Sequence, residues 1–409
     1  MSAWHRTYVS VFVANMVTAV GMMSFLPFFP TLLESVGVTD RDELEIWSGL
    51  IAGAAPLTAA FMGPVWGSLG DRVGRKVMVL RSIFAITVFV GLLGVAQTPL
   101  QLLFLRLCQG TFSGFVPPSM TLVSVMTPPE KQGRVIGSLQ MALPVGMMVG
   151  PQIGAWIGTE YGIQSVFLFV AVISGLSGLL VWALAHEESV PTVGYERFSV
   201  GAVLGEAWSD LVRMLGRVDI RFAFLTLFVV QLGAGMINPQ LELAVRDIAT
   251  GTPEVLAKKT AYLFSGFAAM SFCTNFLWGI AGDRFGPKRC LFFVALGAGL
   301  VMTSHVLATF YYALLALRLC HGACSAGANV SSFGVATLDS SSEDRGRAIS
   351  AVFSARAMAW ALGSASGGWI ASQLGLYGMF LLAGGLVLVV MLLLIPLVRR
   401  SETVSPASS

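Results

Sequence analysis

Twelve long apolar runs, separated by joins mostly too short to hold a domain, leave this chain few ways to fold. They fall at about 7–33, 46–69, 77–96, 100–126, 134–159, 163–185, 221–246, 260–282, 289–308, 312–338, 347–373 and 377–398. Most exceed the roughly 20 residues that a helix needs to cross a hydrocarbon core. In lipid the backbone must be satisfied internally, so runs of this length are read as membrane helices. With 55% hydrophobic and 11% charged residues among 409, a soluble globule is excluded.

The join from Gly67 to Arg81, GSLGDRVGRKVMVLR, closes one run and opens the next, so it is a tight turn at a membrane face. It packs Asp71, Arg72, Arg75 and Lys76 among Gly67, Gly70 and Gly74. One reading is a conformational brace: the Asp71 carboxylate bonds helix N-terminal amides, or Arg75 or Arg81, while the glycines let backbones approach. The other is a solvated basic turn. The pattern returns as GIAGDRFGPKRC, placing Asp283 and Arg284 212 residues after Asp71 and Arg72. LRLCQGTFSG likewise returns as LRLCHGACSAG, pairing Arg106 with Arg318, and Gly154-Ala-Trp-Ile returns as Gly367-Gly-Trp-Ile. Register held over half the chain means duplication. The expected fold is therefore an all-α membrane protein with twelve transmembrane helices in two pseudo-symmetric six-helix bundles. The bundles span 1–185 and 220–400, joined by a cytoplasmic linker at 186–219 that carries an interfacial helix and followed by a disordered tail at 401–409.

Charge sets the expected orientation. Arg72, Arg75, Lys76 and Arg81 fall on the same side as Lys131, Arg134, Arg213, Arg217, Arg284, Lys288 and Arg347, whereas the opposite loops hold Arg41, Arg246, Lys258 and Lys259. The positive-inside rule puts the Asp71 turn and both termini in the cytoplasm. Arg106, Arg318 and Arg356 are the arginines inside spans. The five cysteines suggest no disulfide framework or metal site.

Pro27 and Pro30 interrupt the first span, and Pro239 stands at the matching place in the seventh, with Glu242 where Pro30 stood. A proline loosens a membrane helix tolerably only against protein or a watered cavity. In the fifth span Gly146, Gly150, Gly154 and Gly158 recur every four residues around Pro151. Such a stripe admits a neighbouring helix at backbone distance, and the proline points to a gating helix. Ala359, Gly363, Gly367, Ala371 and Gly375 make the matching stripe in the eleventh span, read equally as simple close packing.

No Walker loop, HExxH or nucleophile elbow is present, and the histidines, His5, His186, His305 and His321, are scattered along the sequence. The chain reads as a non-enzyme without cofactor, so transport must draw on a gradient. One proton moving down 100 mV yields roughly 2.3 kcal/mol, nearly fifty-fold in concentration. Proton-coupling candidates are Glu242 and Glu34, with Arg106 either pairing an acid or held by backbone carbonyls. Substrate-cavity candidates are Asn15, Phe61, Gln231, Asn238, Gln240, Arg318, Arg356 and Trp360.

GSLGDRVGRK resembles the signature between helices two and three of the major facilitator superfamily, and LRLCQGTFSG resembles its fourth-helix arginine motif. VGPQIGAWIG is similar to the fifth-helix motif of the antiporters, and FLPFFPTLLESVGV to the first helix of the drug:proton antiporter branch. The second half departs from the pattern at Pro287 and at Ser364, which stands where a counterpart of Pro151 is expected. The resemblance implies a central cavity opening alternately to each side, with the Asp71 turn holding one state and the fifth-helix motif packed between the halves. It implies proton-coupled efflux of amphipathic drug-like molecules from an inner membrane by a monomer without a nucleic-acid partner. A specific carrier of a small organic anion or metabolite is the alternative, which three intramembrane arginines against few acids would suit.

Overall fold

Where the first expected span carries its prolines, the helix gives way. In this computed structural model α1 (Ala3–Phe25) passes through a 3-10 turn at Leu26–Phe28 into α2 (Phe29–Ser35). The structure describes residues 3–187, 199–338 and 342–404, without the side chains of Asp71, Val116, Pro129, 342–343 and 396–404. The contacts expected of the Asp71 carboxylate thus lie outside the described residues.

The helices α3 (Arg41–Val73) and α4 (Arg75–Leu93) meet at Gly74, whose φ of 111° demands glycine. They are followed by α5 (Pro99–Phe112), α6 (Val116–Met126), α7 (Pro129–Gln140), α8 (Ala142–Tyr161) and α9 (Ile163–Leu184). After the linker helix α10 (Val200–Leu215) comes α11 (Val218–Ile237), which repeats the first interruption: a 3-10 turn at Asn238–Gln240 leads into α12 (Leu241–Ile248). The remainder is α13 (Pro253–Phe285), α14 (Pro287–Ser304), a 3-10 turn at His305–Leu307, α15 (Tyr311–Leu338) and α16 (Ser342–Val404). Among the described residues every regular element is helical.

Eight of these stretches are long and apolar enough to cross a membrane. The other expected spans have local reasons for falling outside that set. The run 100–126 is broken at 113–115; 134–159 is broken at Met141, and the 20-residue helix that follows is long enough but diluted by glycines, Pro151 and Gln152. The run 312–338 carries Arg318, His321 and many small polar residues. The runs 347–373 and 377–398 form one helix, α16, kinked at Gly375 with φ 70°. Residues 188–198 and 405–409 lie outside the described set, and α16 stays helical to Val404, beyond the expected start of the tail at 401.

The chain divides into two compact units. The first comprises Met1–Asp40, Ala54–Gly205 and Gly251–Ser265, and the second Arg41–Gly53, Glu206–Thr250 and Gly266–Ser409. Within the first unit α1 lies along α8 and α9, and Phe25 packs against Phe29 and Phe167 at ring separations of 5.9 and 5.0 Å. The glycine stripe of α8 is what admits α1. A methyl group added at Gly146 would lie 2.7 Å from the Ala19 carbonyl carbon, and one at Gly150 would lie 2.6 Å from the Val20 carbonyl oxygen. The stripe expected to pack between the halves thus faces the first span of its own half. Another part of α8 meets α13, where Ser265 Oγ donates to the Met148 carbonyl at 2.6 Å and Gln152 Nε2 donates to Ser265 Oγ at 3.2 Å.

The second unit repeats this with α16 and α11. A methyl group at Gly367 would fall 2.5 Å from the Met236 Cα, and one at Gly235 would fall 2.8 Å from the Trp360 carbonyl oxygen. The first turns of α3 also belong here: a methyl group at Gly53 would lie 2.6 Å from the Ala361 carbonyl oxygen.

Candidate functional site

The paired arginines are each buried, and each has a partner three residues on and an aromatic ring beside it. In the first unit Arg106 Nη1 donates to Gln109 Oε1 at 2.6 Å, with the guanidinium 5.3 Å from the Phe29 ring. In the second, Arg318 Nη1 meets His321 Nδ1 at 3.1 Å, three residues on, with the guanidinium 4.5 Å from the Phe267 ring. Arg318 Nη2 also donates to Asn238 Oδ1 at 3.0 Å, tying α15 to the 3-10 turn after α11. Gly110 abuts Ala55 of α3, as Gly322 abuts Phe267 of α13. A tryptophan bonds each arginine helix five residues further on: Trp66 Nε1 donates to the Thr111 carbonyl at 2.6 Å, and Trp278 Nε1 to the Ala323 carbonyl at 2.8 Å. A buried guanidinium cannot shed its charge cheaply, so aromatic faces and a neutral acceptor hold it instead.

Glu242 occupies the first turn of α12 and is buried, with Oε1 accepting from Arg246 Nη2 at 2.7 Å. Glu34, its companion candidate, is exposed at the end of α2. Gln240 Nε2 donates to the Glu45 backbone carbonyl at 2.9 Å. The Glu45 side chain accepts from Arg41 at 3.0 Å, and Arg41 also reaches Asp247 at 2.9 Å. Of the other cavity candidates, Asn15 and Phe61 fall in the first unit, Asn15 accepting from Ser119 Oγ at 2.9 Å and Phe61 exposed. Gln231, Arg356 and Trp360 fall in the second, where Gln231 is buried and Arg356 is exposed, without an ion pair or hydrogen bond among the described residues.

At the signature turn Glu187 stands, among the described side chains, on the N-terminus of α4. Its two oxygens accept from the backbone amides of Arg75 at 2.8 Å and Lys76 at 3.0 Å, satisfying donors that the first turn of α4 leaves open. Lys76 Nζ donates to the carbonyls of Trp182 and Ala185 at 2.8 and 2.6 Å, closing the C-terminal end of α9. Arg81 stacks on Trp66 at 3.8 Å. Of the three glycines, Gly74 supplies a backbone conformation and a methyl at Gly70 would lie 3.1 Å from Met78 Cγ, but a methyl at Gly67 would meet nothing within 4 Å. Close approach of backbones is therefore not what Gly67 provides. In the second copy Asp283 and Arg284 are exposed, and the ion pair at that turn joins Lys288 to Asp219 at 2.9 Å.

Residues 11–218 and 223–409 match the model of the Major Facilitator Superfamily. The chain belongs to that superfamily. It is a multi-pass membrane transporter and not an enzyme. Among its relatives, Multidrug resistance protein MdtG of Proteus mirabilis (strain HI4320) is 30% identical over 80% of this chain and 79% of its own. MdtG of Klebsiella pneumoniae (strain 342) is 28% identical over 94% of this chain and 92% of its own. Among solved structures, a bacterial homolog of the human lysosomal transporter Spinster aligns over 100% of both chains with a TM-score of 0.81 at 13% identity. A D-xylose–proton symporter aligns over 96% of both with a TM-score of 0.72 at 14% identity. At these identities the structures speak for the fold alone.

Three groups at the site carry no motif in the sequence. Glu187 lies in the linker, outside any motif, although a carboxylate just beyond an apolar run and 112 residues from an uncapped helix start is compatible with such a role. Trp66 and Trp278 share the 212-residue offset and could have been found by extending the repeat. His305 and His321, scattered in sequence, come together with ring centroids 5.9 Å apart.

Proposed function

We propose that this transporter exports amphipathic, drug-like molecules across the cell's inner membrane in exchange for protons, by alternating access of a central site. The observation that carries this reading is the relation to proteins named Multidrug resistance protein, which extends over 94% of the chain at 28% identity. In this proposal the twelve runs form two six-helix bundles, 1–185 and 220–400, joined by the 186–219 linker, with both termini cytoplasmic and the monomer as the working unit. Glu242 carries the coupling proton. Its place beside the 3-10 turn at Asn238–Gln240 supports this, because a loosened helix can be watered in one state and dehydrated in the other, changing its proton affinity. Asp71 holds one of the two states, and α8 flexes at Pro151 between its contacts with α1 and α13.

Energised cells that produce the protein should accumulate less of a lipophilic cationic dye than cells without it, and a proton uncoupler should erase the difference. Higher accumulation on expression would mean import and would end this reading. The second reading, a carrier of small organic anions, is favoured by Arg356, a span arginine that is exposed and unpaired among the described residues. Competition by carboxylates in place of lipophilic cations would select it.

A further inference from the structure

The two arginine sites differ in the group that accepts from the guanidinium three residues on. In the first unit the acceptor three residues beyond the arginine is Gln109, an amide that cannot ionise; in the second it is His321, at the same 212-residue offset. A guanidinium only donates, so the Nδ1 of His321 must be the bare, accepting nitrogen, and the ring is neutral with its proton on Nε2. His305 Nδ1 lies 2.8 Å from the Val301 carbonyl, so it carries the proton there and leaves Nε2 bare. His321 Nε2 and His305 Nε2 are both buried without a hydrogen-bond partner. One is a donor and the other an acceptor, on rings 5.9 Å apart and edge to face. Phe267 of α13 stands 5.3 Å from the His321 ring, and Phe380 of α16 stands 5.5 Å from the His305 ring. From α11 and its 3-10 turn the facing group is the neutral Asn238. Among the described residues, the charged group in contact with the pair is Arg318, and the titratable groups are the two rings themselves.

We propose that His321, with His305 beside it, is a second proton-binding site of the transporter, and that it takes up a proton only by releasing Arg318. A proton from water that binds Nδ1 turns that nitrogen from acceptor to donor and sets a cation against a cation, so the Arg318–His321 bond must open. Arg318 is also bonded to Asn238, so the change is delivered to the 3-10 turn that precedes Glu242. The first repeat, with Gln109, has an arginine–acceptor bond at the same spacing without the switch. Its role in transport rests on the proton-coupled reading above; the protonation itself does not.

The test has two arms. Side-chain nitrogen NMR of 15N-histidine-labelled protein in lipid nanodiscs, with His321 assigned by its loss in His321→Gln, should show one neutral tautomer at pH 8 passing to the doubly protonated ring by pH 5. Signals that keep the neutral tautomer over this whole range would overturn the proposal, whatever drives transport. In proteoliposomes His321→Gln gives the second site the amide of the first and so retains a partner for Arg318. It should keep substrate exchange within about twofold of wild type while losing at least about tenfold in accumulation driven by a pH gradient, the linkage expected of one proton per unit of pH. If wild type and His321→Gln respond equally to an imposed gradient, His321 is not a coupling site. If wild type itself does not respond, the proton-coupled reading fails, and the NMR arm alone decides the protonation.

Discussion

Glu242 has the surroundings of a group that changes state: a buried carboxylate, one arginine at 2.7 Å, and a helix start weakened by the turn before it. Glu242→Gln keeps shape and hydrogen bonding to Arg246 but cannot ionise. It should abolish accumulation driven by a pH gradient while sparing exchange of substrate down its own gradient, both read in proteoliposomes. A Gln variant that still concentrates substrate on pH alone moves the proton elsewhere. Glu187 has a simpler task, accepting from two amides at the start of α4. Glu187→Ala should lower stability by about 1 kcal/mol, seen as a lower unfolding midpoint in detergent, with Glu187→Gln intermediate. Arg106 and Arg318 were legible as special because charge inside an apolar run is rare, but their acceptors were not. Gln109 and His321 are ordinary letters in a sequence, and a neutral partner leaves no charge pattern to find.

Among the helices, the small-residue stripes were readable from a four-residue period, and their neighbours were not. Period names a face, and only packing says which helix lies on it. Gly150 abuts Val20 and Met23 of α1, where an added side chain has no room, whereas Gly67 faces open space. Overpacking of this kind costs about 1–3 kcal/mol. Gly150→Val should therefore depress the unfolding midpoint and folded yield sharply, and Gly67→Val should leave both within error. Equal effects at the two sites would mean that the stripe does not set the α1–α8 contact. The breaks at Leu26–Phe28 and Asn238–Gln240 were visible because proline removes an amide donor. The breaks at Met141 and 113–115 were not anticipated: the first has no proline at its centre, and the second lies just before Pro117 and Pro118, inside a run read as one span.

For the molecule as a whole, helical class and duplication followed from run length and a fixed offset, two signals that need no knowledge of packing. Which stretch of helix keeps company with which was hidden, because residues 41–53 and 251–265 belong with the opposite half of the sequence. Each half of the polypeptide thus lends an arm to the other. At Gly368 the backbone of Glu45 and Ile46 fills the space a side chain would need, with the Ile46 Cα 3.2 Å from where a methyl would stand. Two separate polypeptides, 1–187 and 199–409, should therefore find one another when made in the same cell, and a tag on either should recover both. Gly368→Leu would push one arm out of its seat and should cut that recovery, while Gly385→Leu, which faces open space, should not. The peptide connection between the halves is then a convenience of synthesis, and the clasp of exchanged arms is what makes them one machine.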